Sequence, residues 1–397
     1  TKDSTGLGFP KEEIVFGGGY DPKLDDETKF STSDNDGNDY LGNAIYIVDP
    51  MNGKKLLSIS GTGSGADIEV GQMNFSIPSD ITTLDSNSDG IVDRLYVGDT
   101  GGQLWRVDLA EALPIGGSGS KGNTVVGLLA KISGNDAKNR RKFFEPPSVL
   151  QVSDAIFSTA EQYDLVMLGT GDRPNPLSAT VADRFYAFRD RFISNNSVGD
   201  GNGNNVSSGE GYPTSTSKPY SHEDASSILD VTTKGLTDMD SSLVKVSDGW
   251  YVDYTTANTG VPGEKVLSAP LTAGFNVHFT TFDPTVGDGT NTQTATQKDK
   301  SDPCGAVPNI GEAKFYKIPV LDAGTPEIEG ASKRTGSNRF RQVIGSGIPS
   351  DVIPVFTPDT VIAITQADGQ GISLGDLCAG AGGCGPQRAY WNESIDF

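Results

Sequence analysis

The stretch TTLDSNSDGIVDRLYV, from Thr82 to Val97, crowds three carboxylates and an amide around one glycine and then turns apolar at once. With Asp85 as the first position, Asn87 is third, Asp89 fifth, Gly90 sixth, Ile91 seventh and Asp93 ninth. This is the oxygen spacing of an EF-hand calcium loop. There, side chains at alternate positions converge on one side of a tight coil, and the seventh residue offers its carbonyl. Gly90 supplies a backbone turn that larger residues resist. An all-oxygen set rich in carboxylates favours Ca2+ over Mg2+ and offers no nitrogen or sulfur to zinc. Crowded like charges are tolerable when a divalent ion neutralises them. Tyr96 stands at the twelfth position in place of Glu, and both ITTL before the loop and RLYVG after it are patterned as strands. The expectation is a strand–loop–strand calcium site made by Asp85, Asn87, Asp89, the Ile91 carbonyl and Asp93, with Asp93 closing it. The alternative is a solvated acidic turn.

Other chemistry is sparse. SDNDGNDY (33–40) gathers Asp34, Asp36, Asn38 and Asp39 around Gly37, with less regular spacing and no closing ligand. An ordinary loop is the simpler reading, with a second ion as the alternative. Of two histidines, His222 sits in a polar segment and His278 within the strand-like FNVHFTTF, where a structural role is expected. No GxSxG elbow, HExxH helix or Walker loop occurs. GTGSGA (61–66) follows a strand but precedes no helical pattern, so it reads as a loop. Acidic residues are abundant, and nothing selects a pair for glycoside chemistry. Cys378 and Cys384 flank AGAGG, so a small disulfide and two free thiols are both open; Cys304 is then left over. No CxxC suggests structural zinc.

The elements that must hold the acidic loop are strands. Short runs rich in β-branched and aromatic residues, each bounded by turn residues, occur at 13–18, 43–49, 55–60, 93–99, 102–108, 125–132, 164–170, 183–190, 249–254, 275–282, 313–320 and 359–365. DLAEALPI (108–115) allows one helical turn before Pro114 ends it. A degenerate repeat places Tyr46, Trp105, Tyr186 and Tyr316 at one recurring aromatic position. Strand groups with one signature suggest radial repetition, so an all-β propeller of roughly five blade-like units is expected, with the aromatics packed between blades. An irregular sandwich is the alternative. Segments 194–224 and 285–302 lack apolar content and read as inserted loops of a single domain spanning 1–397. The formal charge of −21 disfavours nucleic acid as a partner. No run approaches the roughly 20 apolar residues of a membrane-spanning helix. The chain starts at Thr1 with no leader and reads as a processed protein or the C-terminal part of a longer one.

PSDITTLDSNSDGIVDRLYVGDTGGQLWRVDL (78–109) resembles the C-terminal propeller of the PilY family, the tip-associated proteins of bacterial type IV pili. IVFGGGYDP (14–22), GNAIYIVDPMNGK (42–54), LGTGDR (168–173), GWYVDY (249–254), GEKVLSAPL (263–271), FTTFDP (279–284) and GSGIPSDVIPVF (345–356) extend the resemblance over almost the whole chain. It implies a modified, quinoprotein-like propeller in a secreted, pilus-associated, non-enzymatic protein at the bacterial cell surface. It further implies partnership with minor pilins, opposition to pilus retraction, and roles in twitching motility and adhesion to host or abiotic surfaces. The family's calcium site matches Asp85, Asn87, Asp89, Ile91 and Asp93, and all five positions are kept. The RGD of some members is absent. Two rivals stand beside this reading. A quinoprotein-like dehydrogenase would need a quinone near a calcium loop whose own positions are already filled. An integrin-like adhesion propeller would carry the acidic loop in several blades, and one good copy is present.

Overall fold

The computed structural model describes residues 12–25, 41–109, 124–134, 136–153, 162–191, 220–221, 228–232, 247–257, 262–285, 311–321, 323, 340–356, 361–367 and 370–376. Outside them lie most of the expected inserted loops (194–224 and 285–302), most of the helical turn at 108–115, the 33–40 cluster, His222 and the three cysteines.

Among the described residues, five small sheets follow one another along the chain. The first is β1 (Ile14–Gly17), β2 (Ala44–Val48), β3 (Lys55–Ser60) and β4 (Ile68–Glu69), hydrogen-bonded in that order. The second is β5 (Thr82–Leu84), β6 (Arg94–Gly98), β7 (Gln103–Asp108) and β8 (Val125–Lys131), again in chain order. The third opens with β9 (Ser148–Ser153), β10 (Gln162–Gly169) and β11 (Arg184–Asp190). The chain then lays β12 (Tyr220–Ser221) parallel on β8 of the second sheet. It returns as β13 (Ile228–Asp230), parallel to β14 (Gly249–Asp253), to complete the third. After a helical turn, Tyr254–Ala257, the fourth sheet contains β15 (Lys265–Val266), β16 (Leu271–Ala273), β17 (Asn276–Asp283), β18 (Glu312–Pro319) and β19 (Phe340–Ser346). The fifth is β20 (Ile353–Phe356), β21 (Val361–Ala367) and β22 (Gln370–Asp376). Every run expected from the sequence to be a strand holds one.

Four apolar clusters join these sheets in series. Ile45, Ile47, Leu57 and Ile59 of the first sheet meet Leu95, Val97, Trp105 and Val107 of the second. Tyr96 and Leu104 meet Leu168, Tyr186 and Phe188 of the third. Met167, Phe185 and Trp250 meet Val277, Phe279 and Tyr316 of the fourth. Ala313 and Phe315 meet Val352 and Ala363 of the fifth segment. A sheet has two faces to bury, and face-to-face stacking covers both for every sheet with a neighbour on each side. The burial patterns record this. In β6 and β7 every residue is buried, whereas β1, at the start of the series, alternates exposed and half-buried.

In the second, third and fourth sheets the repeat aromatic points toward the sheet before it. Trp105 packs against the first sheet, Tyr186 against the second and Tyr316 against the third. Tyr46, which has no preceding sheet among the described residues, is half-buried and rests 5.6 Å from Phe16. A second recurrence marks the crossings between sheets. A Cβ on Gly17, Gly98 or Gly169 would come within 2.5 Å of Ile77, Phe143 or Val266, each on the connection or strand that leads onward. Glycine there lets the chain cross at van der Waals contact. No helix among the described residues is long and apolar enough to cross a membrane.

Phe279 stacks between Phe185 at 4.0 Å and Tyr316 at 5.2 Å. Phe279→Ala should therefore cost about 3–5 kcal/mol in denaturant unfolding. Phe16, 42% exposed on the outer sheet, should cost less than about 1 kcal/mol when changed to Ser. Equal costs would contradict the serial stacking.

Candidate metal centre

Residues 85–93 connect β5 to β6, and the loop is wound by its own polar side chains. Asp85 accepts from Asp89 N at 3.2 Å and from Gly90 N at 2.8 Å, one oxygen to each. Asn87 Oδ1 accepts from Asp89 N at 2.9 Å, and Asp89 Oδ1 from Ile91 N at 2.9 Å. These are successive Asx turns, which let short polar side chains replace a backbone ladder. Ser88 and Gly90 take the left-handed conformation, with φ of 63° and 85°. A Cβ at Gly90 would meet nothing, so backbone sign and not space favours glycine there. Asp93 closes the loop by accepting from both the backbone N and the Oγ of Ser86, at 2.8 and 2.7 Å. The ends are tied as well: Asp93 N donates to Leu84 O at 2.9 Å, and Leu109 N to Asp93 O at 2.7 Å. Gln151 of β9 reaches across from the third sheet to Ser86 O at 3.2 Å.

Beneath the loop lies a buried charged network. Arg94, the residue after Asp93, donates to Asp108 at 2.8 Å and to Asp164 at 2.5 Å. Arg106 donates to Asp108 at 2.8 Å and to Asp190 at 2.7 Å. Tyr96 Oη lies 2.9 Å from Asp164 Oδ2 and 2.8 Å from Asp190 Oδ2. Arg94, Tyr96, Arg106 and Asp108 belong to the second sheet, Asp164 and Asp190 to the third. Two guanidiniums thus face three carboxylates. Burial pushes the Asp164 carboxyl up; Arg94 opposes this, while the Asp190 charge adds to the rise. For Asp108 burial also acts upward, but Arg106 and Arg94 outweigh it and hold the carboxyl low.

The strand turn after β6 is fixed by another buried acid. Asp99 accepts from the backbone of Gly101 and Gln103, from the Gln103 side chain, and from Trp105 Nε1, all between 2.8 and 2.9 Å. Burial carries its pKa up to about 6 despite those bonds. The GDTGGQLWR segment is thereby explained: its acid orders the turn and seats the repeat tryptophan. His278 is buried in β17 beside Phe315, and burial, with the Lys317 charge, lowers its pKa to about 3. It is a structural histidine.

The loop thus brings Asp85, Asn87, Asp89, Ile91 and Asp93 into one tight connection. Its donor set suits a hard divalent cation: three carboxylates, an amide and a backbone carbonyl. Among the described residues no three His, Cys, Asp or Glu side chains are gathered into a metal-sized group. Asp85 is committed to the loop's N–H groups, while Asp89 and Asp93 each bond through a single oxygen. The network below was not read from the sequence. Its only linear signal is the alternation of charge with aromatic in RLYVG and QLWRVD, which the partners Asp164 and Asp190 complete from distant positions.

No protein-family model and no curated protein matches the sequence. A solved structure does match the fold. The crystal structure of the Pseudomonas aeruginosa PilY1 C-terminal domain is similar with a TM-score of 0.51 at 16% identity, covering 91% of this chain and 69% of that chain. The fold is a PilY1-like β-propeller. At that identity the likeness is one of architecture, and it agrees with the five stacked sheets and with the family resemblance read from the sequence.

Asp190→Ala would remove a buried carboxylate that accepts from Arg106 Nη1 and from Tyr96 Oη across the interface. It should cost about 3–5 kcal/mol in urea unfolding. A loss under about 1 kcal/mol would show that the network does not hold the two sheets together.

Proposed function

We propose that this chain is a non-enzymatic, calcium-binding propeller module of type IV pilus machinery, acting at the bacterial surface with minor pilins at the pilus tip. Twitching motility, the balance of pilus extension and retraction, and surface adhesion are the processes it would serve. The observation that carries this reading is the winding of residues 85–93, where Asp85, Asn87 and Asp89 cap the loop's own N–H groups and Ser88 and Gly90 adopt positive φ. The PilY1-like fold supports the pilus context.

Asp85, Asn87, Asp89 and Asp93 would hold the ion with side-chain oxygens and Ile91 with its carbonyl. When bound, Ca2+ would supply the positive charge that three neighbouring carboxylates lack. The chain's own part is to carry that local order inward. Asp93 precedes Arg94 directly, and Arg94 is seated in the network joining the second and third sheets. Gln151 ties Ser86 to the same interface. A partner that favours the ordered loop over the loosened one would therefore read calcium, in proportion to its difference in affinity for the two.

Calcium at about 100-fold over its dissociation constant should stabilise the wild type by about 2.7 kcal/mol in thermal melts. Asp85→Ala and Asp89→Ala should abolish that gain, while each lowers the calcium-free melting temperature only modestly through the loop N–H groups it no longer caps. In bacteria the same substitutions should reduce twitching. A wild-type melt indifferent to calcium would refute the ion site, and full motility of both variants would refute its role in the pilus.

A further inference from the structure

An open hollow of about 480 Å³ lies where the connections of several sheets converge, within the size range of small-ligand sites. β5 and β9, edge strands of neighbouring sheets, meet beside it: Thr82 Oγ1 donates to Pro147 O at 2.5 Å. Tyr20, after β1, and Phe144, before β9, form one wall with ring centroids 5.4 Å apart, and three prolines add to it. The polar lining is Ser79 and Asp80 before β5, Glu145 before β9, and Arg173 after β10. Asp351, before β20, lies close enough to act electrostatically on Glu145.

Among the described residues lining the hollow, Asp80 and Glu145 stand with one cation, Arg173, and Asp351 adds negative charge nearby; the Arg173 side chain is 58% exposed while that of Glu145 is 9% exposed. Arg173 Nη1 donates to Glu145 Oε1. Asp351 Oδ1 accepts from Ala269 N at 3.0 Å. Ser79, 7% exposed in the wall of the hollow, has a hydroxyl without a partner. A buried hydroxyl lacks its complement next to a mostly buried carboxylate, beside an aromatic and proline wall. That is the complement of an apolar stem ending in a positive charge. An anion would gain Arg173 and meet three carboxylates.

We propose that this hollow is a binding site for an alkylammonium group, the chemistry of a lysine side chain. The ammonium is received by Glu145 with Asp80 and Ser79, and the stem lies along Tyr20 and Phe144. Arg173 is the exposed placeholder that the ligand displaces. Burial carries the Glu145 carboxyl up to about 7 against the pull of Arg173, with Asp351 and Asp80 adding repulsion, so ligand binding should weaken as pH falls below that point. The site is independent of the 85–93 loop and of the calcium reading.

The test is a titration of the chain with N-acetyl-lysine methylamide, followed by NMR shifts or calorimetry, with the Nε-acetylated compound as control and putrescine as a second probe. Saturable binding of the lysine compound and none of the control are expected. Glu145→Gln should weaken binding by about tenfold or more, and Arg173→Ala should tighten it by about threefold. Because Arg173 is exposed, its variant tests the site even if Glu145→Gln disturbs the fold. Tighter putrescine binding would identify a free polyamine as the source, and tighter lysine-amide binding a protein side chain. No saturation by either amine up to about 10 mM, or equal binding of the acetylated control, would overturn the proposal. So would an Arg173→Ala chain that binds more weakly than the wild type.

Discussion

Arg94 and Arg106 enter the interface between the second and third sheets with their charge intact, and the surrounding structure is arranged to receive them. Removing two guanidiniums from water is costly unless every donor finds an acceptor. Asp108 from the same sheet and Asp164 and Asp190 from the next supply those acceptors, with Tyr96 completing the set. The geometry permits one relative placement of the two sheets. Apolar contacts alone would tolerate small slips; a shared Arg–Asp–Tyr network does not. The acidic loop inherits this rigidity because Asp93 and Arg94 are adjacent in the chain.

The rest of the architecture solves a burial problem that recurs sheet by sheet. The second, third and fourth sheets turn their repeat aromatics toward their predecessors, and the first three place a glycine where the chain crosses onward. These two devices do different work: the aromatic fills the space between sheets, and the glycine keeps the crossing close. At the start of the series the pattern is laid bare. Tyr46, Phe16 and Ile14 lie on the side of the first sheet that faces away from the second, with Ile14 49% exposed and Phe16 42%. Among the described residues no sheet covers that side, and Tyr46 is the counterpart of residues that are fully buried elsewhere.

Strand positions were legible because alternation and β-branched content mark half-buried strands directly; KLLSIS at 55–60 coincides with β3 to the residue. Short edge strands such as β4, β12, β13 and β15 were not, since two or three residues carry no period. The winding of the 85–93 loop was legible from spacing, because its determinants are local: an Asx side chain reaches an N–H two residues on. The charged network was hidden because Asp164 and Asp190 lie 70 and 84 residues from the arginines they meet. The hollow beside Glu145 was hidden for the same reason. Glu145, Ser79, Arg173 and Asp351 come from four connections, and in sequence each is an ordinary loop residue.

The ion site proposed at 85–93 is most directly tested by a crystal structure of the chain grown with calcium, with the metal located by its anomalous signal. The account predicts one peak inside the loop, ligated by Asp85, Asn87, Asp89, Asp93 and the Ile91 carbonyl, above an Arg94–Asp164 pair that is unchanged. An ordered loop that keeps its acids on its own N–H groups, with no peak at saturating calcium, would contradict it.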